Sequence, residues 1–161
     1  MTDPIVFRPI GVIRTPFEQT DGMPIQATAA VGVRGRIELD GALTEGLADL
    51  DGFSHLILLY HLHRITEPRL TVTPFLDDSP RGVFATRSPA RPNPTGLLTV
   101  RLIGISGATI EIEDVDMVDG TPLLDIKPYV PGFDAREGVA IGWYTDRLDG
   151  LAKARADDRF R

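Results

Sequence analysis

The sequence contains no cysteine, which excludes disulfide bridges, thiolate zinc sites and a cysteine nucleophile. No apolar run approaches the roughly 20 residues that a helix needs to cross a bilayer. The first residues, Met1 to Pro4, lack the basic and apolar regions of a signal peptide, so we expect a cytoplasmic protein without a membrane span. With 161 residues, 42% of them hydrophobic, the chain is long enough to bury one core.

Basic residues are in the minority, with 17 Lys and Arg against 23 Asp and Glu and a net charge of -6. This balance argues against broad nonspecific binding to nucleic acid but allows a local basic site. The sequence has neither a Gly-x-Gly-x-x-Gly turn nor a Walker loop, and it has no Gly-x-Ser-x-Gly elbow. The common nucleotide cradles and the usual esterase nucleophile are therefore excluded.

Short strands between glycine and proline turns dominate the pattern. Runs rich in β-branched and apolar residues predict strands at 5–15, 31–39, 53–63, 98–105 and 109–114. The run at 53–63 is almost continuously apolar, which predicts a strand buried on both faces, and Ser106-Gly107 predicts a hairpin. We predict a mainly β single domain, a barrel or a sandwich, with few short helices.

Two segments are candidates for these helices. Residues 44–50 predict a short helix with Thr44 as its N-cap. Residues 147–161 predict a terminal helix, although Gly150 weakens the pattern.

A proline-rich loop at 84–97 is the most informative stretch of the chain. Pro89, Pro92 and Pro94 fix φ and hold the residues before them in extended or turn geometry. Ordering a free loop costs roughly 1–2 kcal/mol per residue, so this stiffness suits a loop that presents side chains in fixed positions.

The charges around this loop are of one sign. No acidic residue lies between Asp78 and Glu111, whereas four arginines do: Arg81, Arg87, Arg91 and Arg101. In an acidic chain, a purely basic segment is expected to be reserved for an anion such as a carboxylate or a phosphate. The alternative is that these arginines pair with acids elsewhere in the fold.

All three histidines lie in the 53–63 run, and a period of two places His55, His61 and His63 on one strand face. The His61-x-His63 spacing is compatible with two metal ligands. No third ligand is placed by the sequence, so we favour core or hydrogen-bonding roles and predict no metal site. His63 and Arg64, at the exit of the strand, are better candidates because strand ends and loops often carry sites.

Asp119-Gly120 predicts a turn whose exposed amides could hold the polar edge of a ligand. Beyond this turn, Asp125, Lys127 and Tyr129 alternate along one strand face, a set suited to proton handling or ligand orientation. A solvated edge with an Asp–Lys pair is the alternative, and from spacing alone it is slightly favoured.

Four stretches, spread in order over most of the chain, closely resemble the TrmO/TsaA-like family. They are Ile10–Phe17, Phe53–Leu56, Gly82–Leu97 and Gly120–Pro131. The resemblance implies one β-barrel domain over 1–161, with a core at about 5–145 and without the additional C-terminal domain that engages tRNA in larger bacterial members. Thr95 and Leu98 depart from the family, which usually has Ile and Ser at these positions.

The resemblance implies an S-adenosylmethionine-dependent methyltransferase that acts, as a homodimer, on N6 of threonylcarbamoyladenosine next to the anticodon of threonine tRNA. It places cofactor contacts, position by position, at Pro24, Ile25, Gln26, His63, Arg64, Arg87, Leu97, Asp119, Gly120, Thr121 and Pro122. The candidate substrate contacts are Arg91 and Asn93.

A sulfonium methyl is already electrophilic, so the protein need only align the acceptor and manage its proton. We predict that Asp125 or Tyr129 takes that proton and that Lys127 holds the acceptor or its carboxylate. Three alternatives stay open: a barrel that uses the same cofactor on a small-molecule acceptor, a non-enzymatic cofactor- or RNA-binding module, and a metal enzyme built on His61 and His63.

Overall fold

The computed structural model describes residues 3–25, 29–150 and 153–157. The strands are β1 (Gly11–Arg14), β2 (Arg34–Leu39), β3 (His55–His61), β4 (Thr71–Val72), β5 (Arg81–Gly82), β6 (Thr95–Ser106), β7 (Thr109–Glu113) and β8 (Thr121–Pro128). A single α-helical turn within these ranges, α1, spans Pro131–Asp134. Short 3-10 helices cover Gly41–Leu47, Leu50–Gly52, Val83–Ala85, Gly142–Tyr144 and Leu148–Gly150.

The strands form a closed antiparallel barrel in the order β1-β2-β7-β6-β3-β8, and β4 pairs with β5 beside it. Closure leaves the barrel without a free edge, because β8 pairs with both β1 and β3. The predicted hairpin is confirmed: β6 and β7 are antiparallel, and Gly107 takes the positive φ that the tight turn requires. The mainly β barrel predicted from the sequence is confirmed.

One side chain in two along each strand points into the barrel. The interior is filled by buried apolar residues from every barrel strand, among them Ile13, Ile37, Leu58, Val100, Ile112 and Leu123. The prediction that the third strand is buried on both faces is wrong. In β3, Leu56, Leu58 and Tyr60 are buried while the residues between them are only half-buried, because only one face of a barrel strand meets the interior.

Three local predictions need correction. The first strand begins at Gly11, and residues 3–9 before it are exposed; Pro4 and Pro9 have no N–H to donate to a ladder. The predicted helix at 44–50 is a 3-10 helix at Gly41–Leu47, and its cap is Asp40, whose carboxylate accepts from the Ala42 amide at 3.0 Å.

The predicted terminal helix is also wrong within the described residues. It is replaced by a 3-10 turn at Leu148–Gly150 and by an isolated bridge between Arg155 and Pro24. Here the pairing of the tail with the 22–24 loop outweighs weak local helix propensity. None of the helices in the described ranges is long and apolar enough to cross a membrane.

One close approach shapes an end of the barrel. Tyr60 near the end of β3 lies opposite Gly96 near the start of β6. A Cβ at Gly96 would overlap the Tyr60 ring, so glycine is needed for the ring to approach the backbone of the neighbouring strand this closely. The buried ring therefore helps to close the barrel at this end, directly beneath the loops described next.

Candidate functional site

A cavity of about 1000 Å³ opens at the end of the barrel where β3 ends and β6 and β8 begin. Its walls come from segments far apart in the sequence, at 18–25, 60–65, 74–76, 86–91, 95–97, 116–121, 143–144 and 156–157. Cavities of several hundred to about 1,000 Å³ are typical of small-molecule and cofactor sites. The size is sufficient for a nucleoside with a charged tail.

The proline-rich loop forms one wall of the cavity and is held by its own polar side chains. The buried Thr86 hydroxyl donates to the Val83 carbonyl at 2.8 Å and accepts from the Ser88 amide at 3.1 Å. The Nη1 of Arg91 donates to the carbonyls of Thr86 at 2.8 Å, Val83 at 3.2 Å and Ser88 at 3.4 Å. Arg91 also lines the cavity, and its Nη1 group holds the loop.

The four arginines of the acid-free segment have different partners. Arg81 pairs with Asp77 at 2.6 Å and Arg101 pairs with Glu113 at 3.3 Å. The expectation that the whole segment is reserved for an anion is therefore wrong for these two, which pair with acids elsewhere in the fold. Arg87 differs from the others: it lines the cavity, and no hydrogen bond or ion pair with another described residue engages its guanidinium.

His63 and Arg64 occupy a turn just beyond β3, and both line the cavity. The predicted period of two breaks here, because the strand ends at the exposed His61 and the His63 amide turns back to the His61 carbonyl at 2.9 Å. Burial, with the nearby charges of Arg64 and His61, lowers the pKa of His63. Within the described residues, no group of three or more His, Cys, Asp or Glu side chains could hold a metal.

The loop at 18–25 faces this turn. Pro24 and Ile25 line the cavity, whereas Gln26 lies outside the described residues. The chain's tail holds the loop through two backbone hydrogen bonds of 2.8 Å, from Gly22 to Ala156 and from Ala156 to Met23. The loop therefore owes its position to a segment more than a hundred residues away.

The Asp119–Pro122 segment contributes mainly support. The Asp119 carboxylate accepts from the Thr15 amide at 3.0 Å and pairs with Arg14 at 3.5 Å. Gly120 has the positive φ of 79° that the predicted turn requires. Thr121 lines the cavity and donates to the Val118 carbonyl at 2.6 Å, whereas Asp119, Gly120 and Pro122 are not among the lining residues.

Two predicted contacts, Leu97 and Asn93, lie near the start of β6 together with the two departures from the family pattern. Leu97 is exposed and lines the cavity beside Thr95. Asn93 is exposed and is not part of the lining, and its carbonyl accepts from the Thr95 amide at 2.7 Å. Leu98, at the position where the family usually has Ser, is buried in the barrel core, so this side chain serves packing.

The predicted catalytic residues lie on the outer face of the barrel. Lys127 Nζ forms an ion pair with Asp125 at 2.7 Å, and both side chains are about half exposed. The Tyr129 amide donates to the His55 carbonyl, at the start of β3, and the two rings meet edge to face at 6.3 Å. Since β3 rises about 3.3 Å per residue, Tyr129 lies roughly 16 Å along the barrel from Tyr60 at the cavity. The three residues are not among those that line the cavity, and their catalytic role stays a prediction.

Sequence reasoning missed Asp116, which lines the cavity in the loop between β7 and β8. Burial raises the pKa of its carboxyl to about 7, against the opposing effects of the Arg87 charge and of its own amide. Burial and the Asp116 charge likewise raise the pKa of Tyr60. The sequence shows only an acid between two apolar neighbours, Val115 and Met117, and that pattern does not distinguish a cavity wall from a solvated loop.

An aromatic wall of the cavity was also not predicted from the sequence. Trp143, the only tryptophan of the sequence, stacks on Tyr144 with ring centroids 3.9 Å apart, and both line the cavity. The indole Nε1 donates to the Ala85 carbonyl at 2.8 Å, and the Arg81 guanidinium lies 5.3 Å from the ring centroid. Buried Asp77 anchors this wall, since it pairs with both Arg81 and Arg147.

Together these groups give the cavity a definite chemistry. Leu97, Met117 and Val118 supply apolar contact, and the aromatic pair offers a stacking surface. Arg64 and Arg87 carry guanidinium groups suited to carboxylate or phosphate. Asp116 is the partly buried acid among them. The arrangement can hold a molecule with a flat apolar part and an anionic group beside a group that exchanges a proton near neutral pH.

Comparison with known proteins agrees with this chemistry. Residues 12–135 match the family model described as the tRNA-methyltransferase O N-terminal domain. The chain is 52% identical to a probable S-adenosyl-L-methionine-binding protein of Pyrococcus abyssi, over 97% of this chain and 85% of that protein. It is 31% identical to the tRNA (adenine(37)-N6)-methyltransferase of Mus musculus, over 95% of this chain and 37% of that protein.

Solved structures share the fold. The crystal structure of TrmO from Pseudomonas aeruginosa superposes with a TM-score of 0.74 at 37% identity, covering 87% of this chain and 61% of that chain. This chain thus spans about three-fifths of the solved relative and less than two-fifths of the mouse relative. The family predicted from the sequence is confirmed. The matched model covers most of the barrel, and the chain belongs to the tRNA-methyltransferase O N-terminal domain family.

Proposed function

We propose that this protein is an S-adenosylmethionine-dependent methyltransferase that acts on tRNA, at N6 of threonylcarbamoyladenosine next to the anticodon. The observation that carries the proposal is the cavity at the barrel end, where Arg87, which has no ion-pair partner in the described part of the chain, lies among apolar and aromatic side chains. Relatives named for binding this cofactor and for methylating tRNA adenine support it.

The cavity residues fit the cofactor's three chemical parts. Arg87 and Arg64 would hold the carboxylate, because a guanidinium favours that planar anion. Met117, Val118 and Leu97 would contact the adenine, and Thr121, Pro24 and Ile25 would complete the enclosure. When bound, the cofactor supplies an electrophilic methyl group. The protein's own task is to align the acceptor nitrogen, exclude water and accept the proton that the nitrogen loses.

A tRNA acceptor requires a basic surface beside the cavity. The net charge is -6, so any grip on tRNA phosphates must come from a local basic surface. Arg64 and Arg87, which are both exposed and both line the cavity, would supply such a surface. Threonylcarbamoyladenosine carries its own carboxylate, which is a further reason for guanidinium groups at this end of the barrel.

Calorimetric titration with S-adenosylmethionine tests the cofactor site. We expect micromolar binding, about -8 kcal/mol, that Arg87→Ala weakens by about ten- to a hundredfold, since a charged hydrogen bond contributes roughly 1.5–3 kcal/mol. Arg101→Ala is the matched control, because that arginine pairs with Glu113 and does not line the cavity. Trp143 adds a second readout: as the only tryptophan it should report ligand binding by fluorescence.

Methyl transfer to tRNA is then assayed with labelled cofactor on tRNA that carries threonylcarbamoyladenosine and on the same tRNA without it. Transfer only to the first supports the full proposal. Transfer to neither, with intact cofactor binding, contradicts it and favours the small-molecule acceptor or the non-enzymatic binding module. Equal affinity of the wild type and Arg87→Ala would remove the assigned cofactor site.

The homodimer expected from the family resemblance belongs to the same proposal. Large apolar side chains are exposed near the amino terminus and after β8, which gives the barrel apolar surface to bury: Ile5, Val6, Phe7, Phe133 and Val139. Sedimentation equilibrium measures the state directly. A monomer at micromolar concentration would contradict this part of the proposal.

A further inference from the structure

The loop between β7 and β8 holds Asp116 in a fixed position. Asp114 has a positive φ of 71°, a conformation rare for residues other than glycine, and its carboxylate accepts from the Gly32 amide at 2.8 Å. The flanking Val115 and Met117 are 0% and 3% exposed. The Thr15 hydroxyl donates to the Met117 carbonyl at 2.7 Å. With its neighbours buried and its backbone tied, the loop directs the Asp116 side chain into the cavity.

The acids around the cavity are not equivalent. Glu18 is an exposed rim residue, and Asp157 belongs to the tail and has other partners. Asp119, three residues beyond Asp116, is tied to Thr15 and Arg14 and does not line the cavity. Among the acids discussed, Asp116 is thus the one that lines the cavity from a loop held in place by hydrogen bonds.

Charged and titratable groups face Asp116 from several elements. Arg87 faces it from the proline-rich loop and Tyr60 from β3, and the charges of all three groups influence one another. His63 and Arg64, in the turn after β3, also line the cavity, as do Arg91 and Tyr144. Arg87 favours the carboxylate form, whereas burial favours the neutral acid. A carboxyl in this balance changes its protonation near neutral pH, which suits a general base.

We propose that the Asp116 carboxylate is the proton acceptor in methyl transfer, an assignment that rests on the function proposed above. The acceptor nitrogen forms its new bond to the methyl carbon while the carbon–sulfur bond breaks and its electron pair goes to sulfur, leaving a neutral thioether. The nitrogen's proton passes to an Asp116 oxygen, and the electrons of the N–H bond stay on nitrogen. Asp116 becomes a neutral carboxylic acid and returns its proton to water after product release.

Asp116 and Asp125, the carboxylate predicted from the sequence to take the proton, lie at different places on the barrel. Asp125 lies on the outer barrel face, half exposed and paired with Lys127 at 2.7 Å. Asp116 shares the cavity with Arg87 and His63. A proton acceptor must lie within hydrogen-bonding reach of the acceptor nitrogen, and a nitrogen held in this cavity would be near Asp116.

The test combines titration of the ligand-free protein with the pH dependence of turnover. With carboxyl-labelled aspartate, we expect one resonance to titrate near pH 7 and to be missing in Asp116→Asn. We expect that variant to lose about a hundredfold or more in kcat and to lose the rise of activity with pH. Its affinity for S-adenosylmethionine should change less than about threefold, because a residue that acts only in the transition state changes kcat and not binding.

Matched variants exclude a merely structural effect. Asp116→Glu keeps the carboxylate and should recover part of the rate, with the pH dependence restored. Asp51→Asn makes the same chemical change at an exposed position away from the cavity and should behave as wild type. Circular dichroism and melting temperature confirm that each variant is folded.

The outcomes are distinguishable. An active wild type with an equally active Asp116→Asn overturns the inference alone. The inference is also overturned if Asp116→Asn loses only cofactor affinity. It is overturned as well if His63→Gln, and not Asp116→Asn, removes the rise of activity with pH. A wild type that binds the cofactor but methylates no tRNA contradicts the proposed function, and the inference fails with it even if the Asp116 resonance titrates near neutral pH.

Discussion

The two polar regions of this barrel differ in how their charges are satisfied. On the outer face, Asp125 and Lys127 neutralise each other at 2.7 Å in contact with solvent. At the cavity, the Arg87 guanidinium has no ion-pair partner among the described residues, and Asp116 is partly buried with a raised pKa. An exposed pair contributes at most about 1 kcal/mol. Burial disfavours the charged form of Asp116, whereas the exposed Arg87 guanidinium is available to an anionic ligand. The cavity is therefore the region suited to binding and chemistry.

The same contrast holds between two arginines of one loop. The Nη1 of Arg91 donates to three backbone carbonyls of the loop. Arg87, four residues earlier, is exposed at the cavity. One guanidinium builds the loop and the other is presented by it. Prolines alone therefore do not explain the loop's stiffness, because the Arg91 and Thr86 side chains also tie its backbone.

The largest loss of stability is expected from a substitution at Gly96, beneath the cavity. In Gly96→Ala the new methyl group would overlap the buried Tyr60 ring, and overpacking of this kind costs about 1–3 kcal/mol. Gly104→Ala is the matched control on the same strand, since its Cβ would meet nothing within 4 Å. We expect thermal unfolding to show a lower melting temperature for Gly96→Ala only, together with weaker cofactor binding. Equal melting temperatures would mean that the ring moves aside without cost.

The second prediction separates the two arginines. Arg91→Ala removes three hydrogen bonds from a charged donor group, each possible bond contributing roughly 1.5–3 kcal/mol at most, so the free energy of unfolding should fall by about 1–3 kcal/mol. Arg87→Ala should leave stability nearly unchanged while it weakens cofactor binding. Chemical denaturation and calorimetry on both variants check this. If Arg87→Ala were the less stable variant, the assignment of the two roles would be reversed.

The third prediction concerns the wall that carries Trp143. Hydrogen bonds and charges from Arg81 and Arg147, with the Ser79 amide, hold the pKa of Asp77 below its usual value. A carboxyl with a lowered folded pKa adds stability above its unfolded pKa, and this stability is lost as the pH falls through the folded value. As the pH falls below about 4, the usual pKa of an aspartate, the melting temperature of the wild type should therefore drop more steeply than that of Asp77→Asn.

At neutral pH Asp77→Asn should be the less stable protein, because two arginines lose their shared acid, and the difference should shrink as the pH falls. Trp143 fluorescence should then report loosening of the wall before global unfolding. Parallel curves for the two proteins across the acid range would show that Asp77 does not anchor the wall.

The barrel could be predicted from the sequence because its signals are local. Alternation in β7 and the Ser106-Gly107 turn each specify structure within a few residues. The errors arose where long-range contacts decide. The tail at 153–157 pairs with the loop at 22–24, and the one-sided burial of β3 follows from barrel closure.

The site was predictable in part, for the same reason. Position-by-position resemblance led to Arg87, His63 and Arg64, which the structure brings to one cavity. It could not find Asp116 or Trp143, because the raised pKa of the first and the ring stack of the second depend on neighbours distant in sequence. Likewise, alternation grouped Asp125 with Lys127 and Tyr129 but did not tell an outer face from a cavity wall.

The smallest effect is expected on that outer face, and it gives the sharpest test of the contrast. Asp125→Asn breaks an exposed ion pair, so the free energy of unfolding should change by less than about 1 kcal/mol, and added salt should reduce the difference further. Cofactor affinity should stay at the wild-type value, since Asp125 does not line the cavity. Turnover decides between the two carboxylates: a large loss of kcat in Asp125→Asn, with Asp116→Asn unaffected, would move the chemistry to the outer face. A partner subunit would then have to enclose that face, because an exposed Asp–Lys pair alone cannot exclude water from a methyl transfer.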